Sequence, residues 1–517
     1  VKGSVAPQLE RITPETQDEL EGEMEYEVVI GMETHVELDT NSKMFCACSA
    51  RFFGAEPNVN VCPVCLGMPG ALPVINKRAV EFAMMVGLAL NCQIARHTFW
   101  ERKSYWYPDL PKGYQISQYQ RPLAYDGWLD VDVRDLSTGN WTEESTRRRI
   151  RIRRAHLEED TGKLTHVGDK SYVDYNRSGV PLLEIVTEPD IRSADEAYAY
   201  LSALQQIVRY LGVSTGDMEK GAMRCEPNMS LRPKGSDAFG VKVEIKNLNS
   251  LRAVRDAIAY EIRRQTALLE RGEAVQQVTL GWDESRGVTV VQREKESAHD
   301  YRYFPEPDLP PLEVDDAWLE DVRRRVPELA LARQDRYRRD FGLSAYDAVQ
   351  LTSDRAVAEW FEQVIAAASA ADLRARAKAA ANWIQTEVFR LMKANGIPNA
   401  EIAGIKPSPR QLAELINLVD EQVVNINTAR QVFEEMFATG ASPRAIVEAK
   451  GLAQVSDVDV LRRVVAEVIA AHPGQVQQYR NGQEKVFGFL VGQVMKATKG
   501  KGNAQVINQL LREALQP

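Results

Sequence analysis

Long apolar runs are missing from this 517-residue sequence. None approaches the ~18–20 residues that a bilayer-spanning helix needs, so no membrane partner is expected. The first 25 residues are acidic and polar, with no basic stretch leading into an apolar one, so a cytoplasmic protein is expected. Cysteine is scarce: six residues in all, too few for a disulfide framework in such a chain. An excess of positive charge is also absent. The 64 Lys+Arg stand against 73 Asp+Glu, a net charge of −9, which at first sight argues against a nucleic-acid partner.

The common phosphate-handling and nucleophile motifs are missing too. No G-x-x-x-x-G-K-[ST] loop occurs; the nearest candidate, Thr161-Gly162-Lys163, continues with Leu164 and lacks the first glycine. There is no kinase glycine loop with an H-R-D partner, no G-x-S-x-G elbow and no H-E-x-x-H helix. Cys92 closes a helix-like stretch and Cys225 lies between Arg224 and Glu226, and neither setting suggests a nucleophile. If this chain uses ATP, it must do so on a sheet surface lined with carboxylates.

What is present is ordinary globular material, 44% hydrophobic and 26% charged, enough for about three domains at roughly 150 residues each. Residues 1–25 lack apolar periodicity and read as a disordered tail. From Tyr26 onwards, strand-like segments alternate with helices. Ser193-Ala-Asp-Glu196 is a capping-box pattern followed by Ala197, Leu201, Leu204, Val208 and Leu211 at helical spacing, with Gly212 as the stop. Ser250 to Leu269 repeats the pattern and ends at Gly272. No glycine-rich turn joins strand to helix, so an α+β fold with a largely antiparallel sheet is expected. The proline-rich run Tyr303–Pro311 marks a boundary, and Lys450-Gly451 a second. The expected organisation is an α+β domain over 26–309, an all-helical domain over 310–449 and a small helical tail domain over 450–517.

Four of the six cysteines fall within twenty residues, as Cys46-Ala-Cys48 and Cys62-Pro-Val-Cys65. Two short-spaced thiolate pairs can complete a closed tetrahedral zinc site, which would be structural because no position stays open. In Val28–Leu38 the side chains alternate, with Val28, Ile30, Met32, Val36 and Leu38 on one face and Glu33, His35 and Glu37 on the other. Lys242, Glu244 and Lys246 share a strand face opposite Val241, Val243 and Ile245, and Glu184 and Glu188 share another. His156-Leu-Glu158-Glu159-Asp160 packs three carboxylates together after the alternating Arg147–Arg154 run. Carboxylates converging from several strands suit Mg²⁺ bound with a phosphate, and phosphoryl transfer adds Lys or Arg for the phosphate oxygens. Each row is equally compatible with a solvated sheet face. The last ~70 residues are locally basic, and Lys496, Lys499 and Lys501 beside Gly500 and Gly502 form a turn that can approach an RNA backbone.

Seven segments together resemble the B-subunit family of the aspartyl/glutamyl-tRNA amidotransferases. They are Ile30–Leu38, Arg102–Ser117, His156–Lys163, Asn176–Val186, Met223–Asn228, Glu244–Ser250 and Asp300–Asp308, with Gly488–Lys496 near the end. The resemblance runs from about residue 26 to 517. It implies a cradle domain with a sheet related to that of glutamine synthetase, a zinc knuckle, a helical domain and a tRNA-binding tail. The implied activity is that of a ligase forming a carbon–nitrogen bond: ATP activates the side-chain carboxylate of Glu-tRNA(Gln) or Asp-tRNA(Asn) as an acyl phosphate, and ammonia displaces the phosphate. Glu159, Glu33 and His35 are the implied catalytic residues. Glu33, His35, Glu159, Glu226 and Glu244 are the implied Mg²⁺ ligands, although family members often carry Asp where Glu226 stands, and Glu158 and Glu184 are second choices. Arg224, Asn228, Lys246 and Glu184 would hold the nucleotide phosphates or acyl group, and Lys103, Tyr105 and Lys112 would line the ammonia route. Ammonia would come from an amidase-fold A subunit, with a small C subunit completing a heterotrimer of the bacterial or organellar type. Two other classes compete: a non-catalytic zinc- and tRNA-binding scaffold, which has no use for the strand-face carboxylates, and a free-standing ligase for a small molecule, which has no use for the helical half.

Overall fold

The alternation in Val28–Leu38 becomes the strand β1 (Tyr26–Glu37), whose Val28, Ile30, Met32 and Val36 are buried. The computed structural model describes residues 26–135, 142–294, 301–368, 372–454, 458–498 and 500–516. The tail expected over 1–25, Asp300 and Lys499 lie outside the described residues. In chain order the next strands are β2 (Gln93–Ile94), β3 (His97–Thr98), β4 (Glu101–Ser104), β5 (Tyr114–Ser117), β6 (Ala124–Val133), β7 (Thr146–Glu159), β8 (Lys163–Val167) and β9 (Lys170–Asp174). There follow β10 (Pro181–Thr187), β11 (Met223–Pro233), β12 (Val243–Lys246), β13 (Val278–Asp283), β14 (Val288–Glu294), β15 (Phe304–Pro305) and β16 (Leu312–Glu313).

Nine strands form one sheet in the order β14-β13-β12-β11-β1-β10-β7-β6-β2. Its pairs are antiparallel except β12 with β13, so the α+β expectation matches what is seen. Three helices, α1 (Lys77–Ala89), α2 (Ala194–Leu211) and α3 (Leu251–Glu270), cover one face. Leu201, Leu204 and Val208 of α2 and Val254, Ala257 and Ile258 of α3 join the apolar face of β1 in a single core. Each large aliphatic side chain buried there contributes about 1.5–3 kcal/mol. The Ser193 hydroxyl accepts from Glu196 N at 3.1 Å as the capping box requires, but the Glu196 carboxylate turns to Arg192 N, at 2.7 Å. The opposite face of the sheet carries the polar row of β1. A small sheet, β15-β4-β5, stands beside it and reaches β7 through Gln115 and Ser117.

The proline-rich run does not end this unit. Its extended backbone pairs instead, β15 with β4 and β16 with β3, and the helix α4 (Asp316–Arg325) buries Leu319 and Val322 in the same core. The first compact unit ends at Leu329 and the second begins at Ala330. The described part of the second unit is helical, with a π turn at Ile384–Val388. It holds two separate apolar cores, one around Trp360, Phe361 and Phe433 and one around Leu461, Leu490 and Leu511. No helix among the described residues is long and apolar enough to cross a membrane.

Gly127 on β6 marks a close approach of the sheet to the chain leaving α1. A Cβ there would collide with Cys92 Sγ and lie 2.5 Å from the Leu90 carbonyl oxygen, which accepts from Trp128 N at 2.8 Å. Backbone cannot yield as a flexible side chain does, so Gly127→Ala is expected to destabilise the first unit by about 1–3 kcal/mol. A lowered urea midpoint with an unchanged slope would show it.

Candidate active site

Pairing on both sides of β1 assembles the site. Opposite residues in a sheet point the same way, so register decides which side chains meet. His35 stands across from Glu184 on β10 and Arg224 on β11; Glu184 in turn stands across from His156 on β7. Glu33 faces Glu226, and Asn228 faces Glu244. Acidic residues from five strands thus share one face.

They form two groups. Glu33, Glu226 and Glu244 can offer oxygens that all lie within 4.8 Å of one another, and so can His35, Glu158 and Glu184 with one imidazole nitrogen. In the first group Lys246 Nζ lies 2.9 Å from Glu226 and 3.4 Å from Glu244. One ammonium against three carboxylates leaves a deficit of two charges, which suits a divalent cation, and the all-oxygen donor set suits a hard ion. The second group mixes nitrogen and oxygen donors. His35 Nε2 is 3.4 Å from Glu184, while His156 Nε2 is 3.3 Å from Glu158 and 3.6 Å from Glu184. Ser117 Oγ and Gln115 Nε2 donate to Glu158 at 2.6 and 3.0 Å, fixing that carboxylate.

The electrostatics follow from this crowding. Burial, then the Glu184 and Glu226 carboxylates, push the Glu33 pKa up. Burial opposes ionisation of Glu184, but the His156 and His35 imidazoles outweigh it and hold its pKa well below the usual range. Two residues along β1 from His35, burial and the hydrogen-bonded Asp160 push Glu37 up to about 9. Against burial, the Arg224 and Arg177 guanidiniums hold Asp160 down at about 2.

The four cysteine sulfurs of Cys46, Cys48, Cys62 and Cys65 also lie within 4.8 Å of one another. Beneath them the fully buried Lys43 donates to Asn60 O at 2.7 Å and Tyr175 O at 3.2 Å, with Cys65 Sγ at 3.7 Å. A cavity of about 210 Å³ touches Cys46, Cys65, Lys43, Lys112 and Glu159.

Glu159 is not brought to the carboxylate face. Alternation along β7 sends His156 and Glu158 there and turns Glu159 the other way, where it accepts from Lys112 Nζ and from Ile116 N. Lys103 is half-buried and feels the Glu158 and Glu184 carboxylates, with its ammonium 5.0 Å from the Tyr301 ring centre. Tyr105 packs against Tyr107 and Tyr301. Asn228 Oδ1 is buried without a hydrogen-bond partner among the described residues. Glu188 sits apart, 4.0 Å from Arg153, and Val241 lies outside β12 and is exposed. Three arginines of the run are neutralised: Arg147, Arg149 and Arg151 pair with Asp132, Asp130 and Asp190 at 2.6–2.7 Å. In the second unit Lys496 is exposed at a helix end, while Lys501 donates to Gly451 O at 2.6 Å. Sequence reading misses His156, Gln115, Ser117 and Lys43 as members of these clusters. The spacing of His156 and Glu158 is the available signal for the first, since it places both on one strand face.

Fold and site define a two-layer α+β domain whose open sheet face gathers acids, imidazoles and cations, continued by a helical unit. The chain belongs to the GatB/GatE family: the model described as the GatB/GatE catalytic domain matches residues 28–320, and the one described as the GatB domain matches 350–515. It is similar to the B subunit of the aspartyl/glutamyl-tRNA(Asn/Gln) amidotransferase of Caldicellulosiruptor saccharolyticus, 52% identical over 495 residues, covering 95% of this chain and 100% of the relative. The corresponding B subunits of Moorella thermoacetica and Thermodesulfovibrio yellowstonii are 53% and 50% identical, again over 95% of this chain and 100% of each relative.

Glu37 gives the site a pH signature. Its folded pKa of about 9 stands above the ordinary 4.5, so between these values the folded chain holds a proton that the unfolded chain has lost, and stability falls as pH rises. The opposite contribution of Asp160 is complete above pH ~5. Melting temperatures measured from pH 6 to 8 are expected to fall more steeply for wild type than for Glu37→Gln, which cannot ionise.

Proposed function

We propose that this chain is the B subunit of a tRNA-dependent amidotransferase, carrying the site where a mischarged aminoacyl-tRNA is activated and amidated. The observation behind this reading is the β1 register, which gathers the acids of β1, β7, β10, β11 and β12 beside Lys246 and Arg224.

The side-chain carboxylate of Glu-tRNA(Gln) or Asp-tRNA(Asn) is a poor acceptor for ammonia because oxide is a poor leaving group. Its oxygen attacks the γ-phosphorus of ATP, ADP departs, and the resulting acyl phosphate carries a good leaving group. Ammonia then attacks the carbonyl carbon, phosphate leaves with the C–O electron pair, and a proton is lost from nitrogen to give the amide. Mg²⁺, when bound, supplies charge neutralisation of the transferring phosphoryl group. Glu33, Glu226 and Glu244 would hold one ion and His35, Glu158 and Glu184 another. Arg224 and Lys246 would meet phosphate oxygens, and Asn228, with its unpaired Oδ1, would orient the acceptor. Lys103, Tyr105 and Lys112 line the approach for ammonia made by a partner amidase A subunit, with a small C subunit completing the heterotrimer. Glu158 takes the part that sequence assigned to Glu159, whose ion pair with Lys112 faces the cysteine cavity. The four thiolates fit a structural zinc ion that ties the two Cys pairs together. The last ~70 residues, with exposed Lys496, are the proposed tRNA-binding tail.

With the assembled amidotransferase, mischarged Glu-tRNA, labelled ATP and ammonia, Glu184→Gln and Glu244→Gln are each expected to lower amide formation about 100-fold or more, the scale of a metal-neutralised charge. Unchanged amide formation in both variants would sink the site assignment. Zinc analysis of the purified complex is expected to give about one ion per copy of this chain, lost in Cys62→Ser together with a lower melting temperature. A wild-type complex free of zinc would remove the zinc from the account.

A further inference from the structure

Next to the carboxylate face lies an aromatic and cationic rim of which the chemistry above uses only Lys103. Tyr119 stacks on Tyr303, with ring centres 4.6 Å apart and planes 16° from parallel. Arg154 joins this pair to the reacting groups: its guanidinium carbon is 5.2 Å from the Tyr119 ring centre and its Nη2 is 3.9 Å from Glu184. Lys103 touches the Tyr301 ring, which meets Tyr303 edge-on at 6.1 Å. The loop is held by backbone, Tyr119 N and Gln120 N both donating to Glu101 at 2.8 and 2.7 Å, so the ring is not needed to anchor it. Tyr119 nevertheless remains 49% exposed. A tyrosine stack serving only as core would be buried. Exposed aromatics interleaved with cations are how proteins hold single-stranded nucleic acid, because every base has a π face and every nucleotide a negative charge.

Resting on the amidotransferase reading, we infer that the Tyr119–Tyr303 pair with Arg154 is a stacking platform for the terminal adenine of the tRNA. In that reaction the carboxylate to be phosphorylated belongs to an amino acid esterified to the terminal ribose, so that base is one sugar away from the reacting group. The sheet order separates this base from the nucleotide that supplies the phosphate. Glu226, Asn228, Glu244 and Lys246 lie on the β11–β12 side of β1, whereas Arg154 lies on β7, beyond β10 on the other side. ATP phosphates held on the first side leave the second to the acceptor end.

Two measurements on the assembled amidotransferase test this. Uncharged tRNA with and without its terminal adenosine is titrated against wild type, Tyr119→Ala, Tyr119→Leu and Tyr119→Trp. Losing the adenosine is expected to weaken binding to wild type and to Tyr119→Trp by about tenfold, and to leave binding to the Ala and Leu variants unchanged. In steady state, Tyr119→Leu is expected to raise KM for mischarged Glu-tRNA by about tenfold and to leave KM for ATP as it was. An equal cost of adenosine removal in wild type and Tyr119→Leu would overturn the proposal. So would a raised KM for ATP with that for tRNA unchanged, which would give the rim to the adenine of ATP. The titration needs no turnover, so its failure is separable from failure of the amidation reading, which Glu184→Gln reports.

Discussion

The ladder hydrogen bonds of β1 are the constraint from which the rest of the structure follows. This strand pairs with β10 over Glu33–Glu37 and with β11 over Tyr26–Val36. Its apolar residues enter a core shared with three helices, so its register is tied to the burial of Ile30, Met32 and Val36. A slip of one residue would turn those side chains to water and drive Glu33 and His35 into the core. The carboxylate face is therefore held in place by the hydrophobic effect acting on the other side of the same strand. A site made of mutually repelling acids cannot assemble itself; here the apolar face does it.

That assembly sets the electrostatic problem that the surrounding residues answer. Burial first, and then the neighbouring carboxylates, raise the pKa values of Glu33 and Glu37. The compensating groups come from the same register. Arg224 is one residue from Cys225 and two from Glu226, so alternation puts it and Glu226 on the polar face and Cys225 in the core. His156 stands between Glu158 and Glu184, and Lys246 between Glu226 and Glu244. The compensation is partial: one ammonium, that of Lys246, stands against the three carboxylates of Glu33, Glu226 and Glu244, which is the charge excess on which the proposed cation site rests.

Much of this is legible residue by residue. The strand alternation of Val28–Leu38, the side-chain caps at Ser193 and Ser250 and the convergence of the paired cysteines are local patterns that appear in the fold, although Glu196 turns to Arg192 N instead of closing the capping box. The mismatches are also local in origin. Sequence reading favours Glu159 over Glu158, although strand parity with His156 separates the two. It also treats the proline-rich run as an end, because proline breaks helices. Proline equally suits extended edge pairing, and β15 and β16 use it that way. The arginine run carries more charge in sequence than in space, since aspartates across the β6–β7 pairing cancel Arg147 and Arg149.

By itself the sequence determined which residues could share a strand face, where helices start and stop, and which thiols come in close pairs, since all of these depend on periods of two or 3.6 residues along one segment. Family likeness added the chemistry. Only the tertiary structure decided that β1 lies between β10 and β11, that Glu33 meets Glu226 while His35 meets Glu184, and that Tyr119 stacks on the distant Tyr303. Those pairings join segments far apart in the chain, and they are set by the register and packing of the whole sheet.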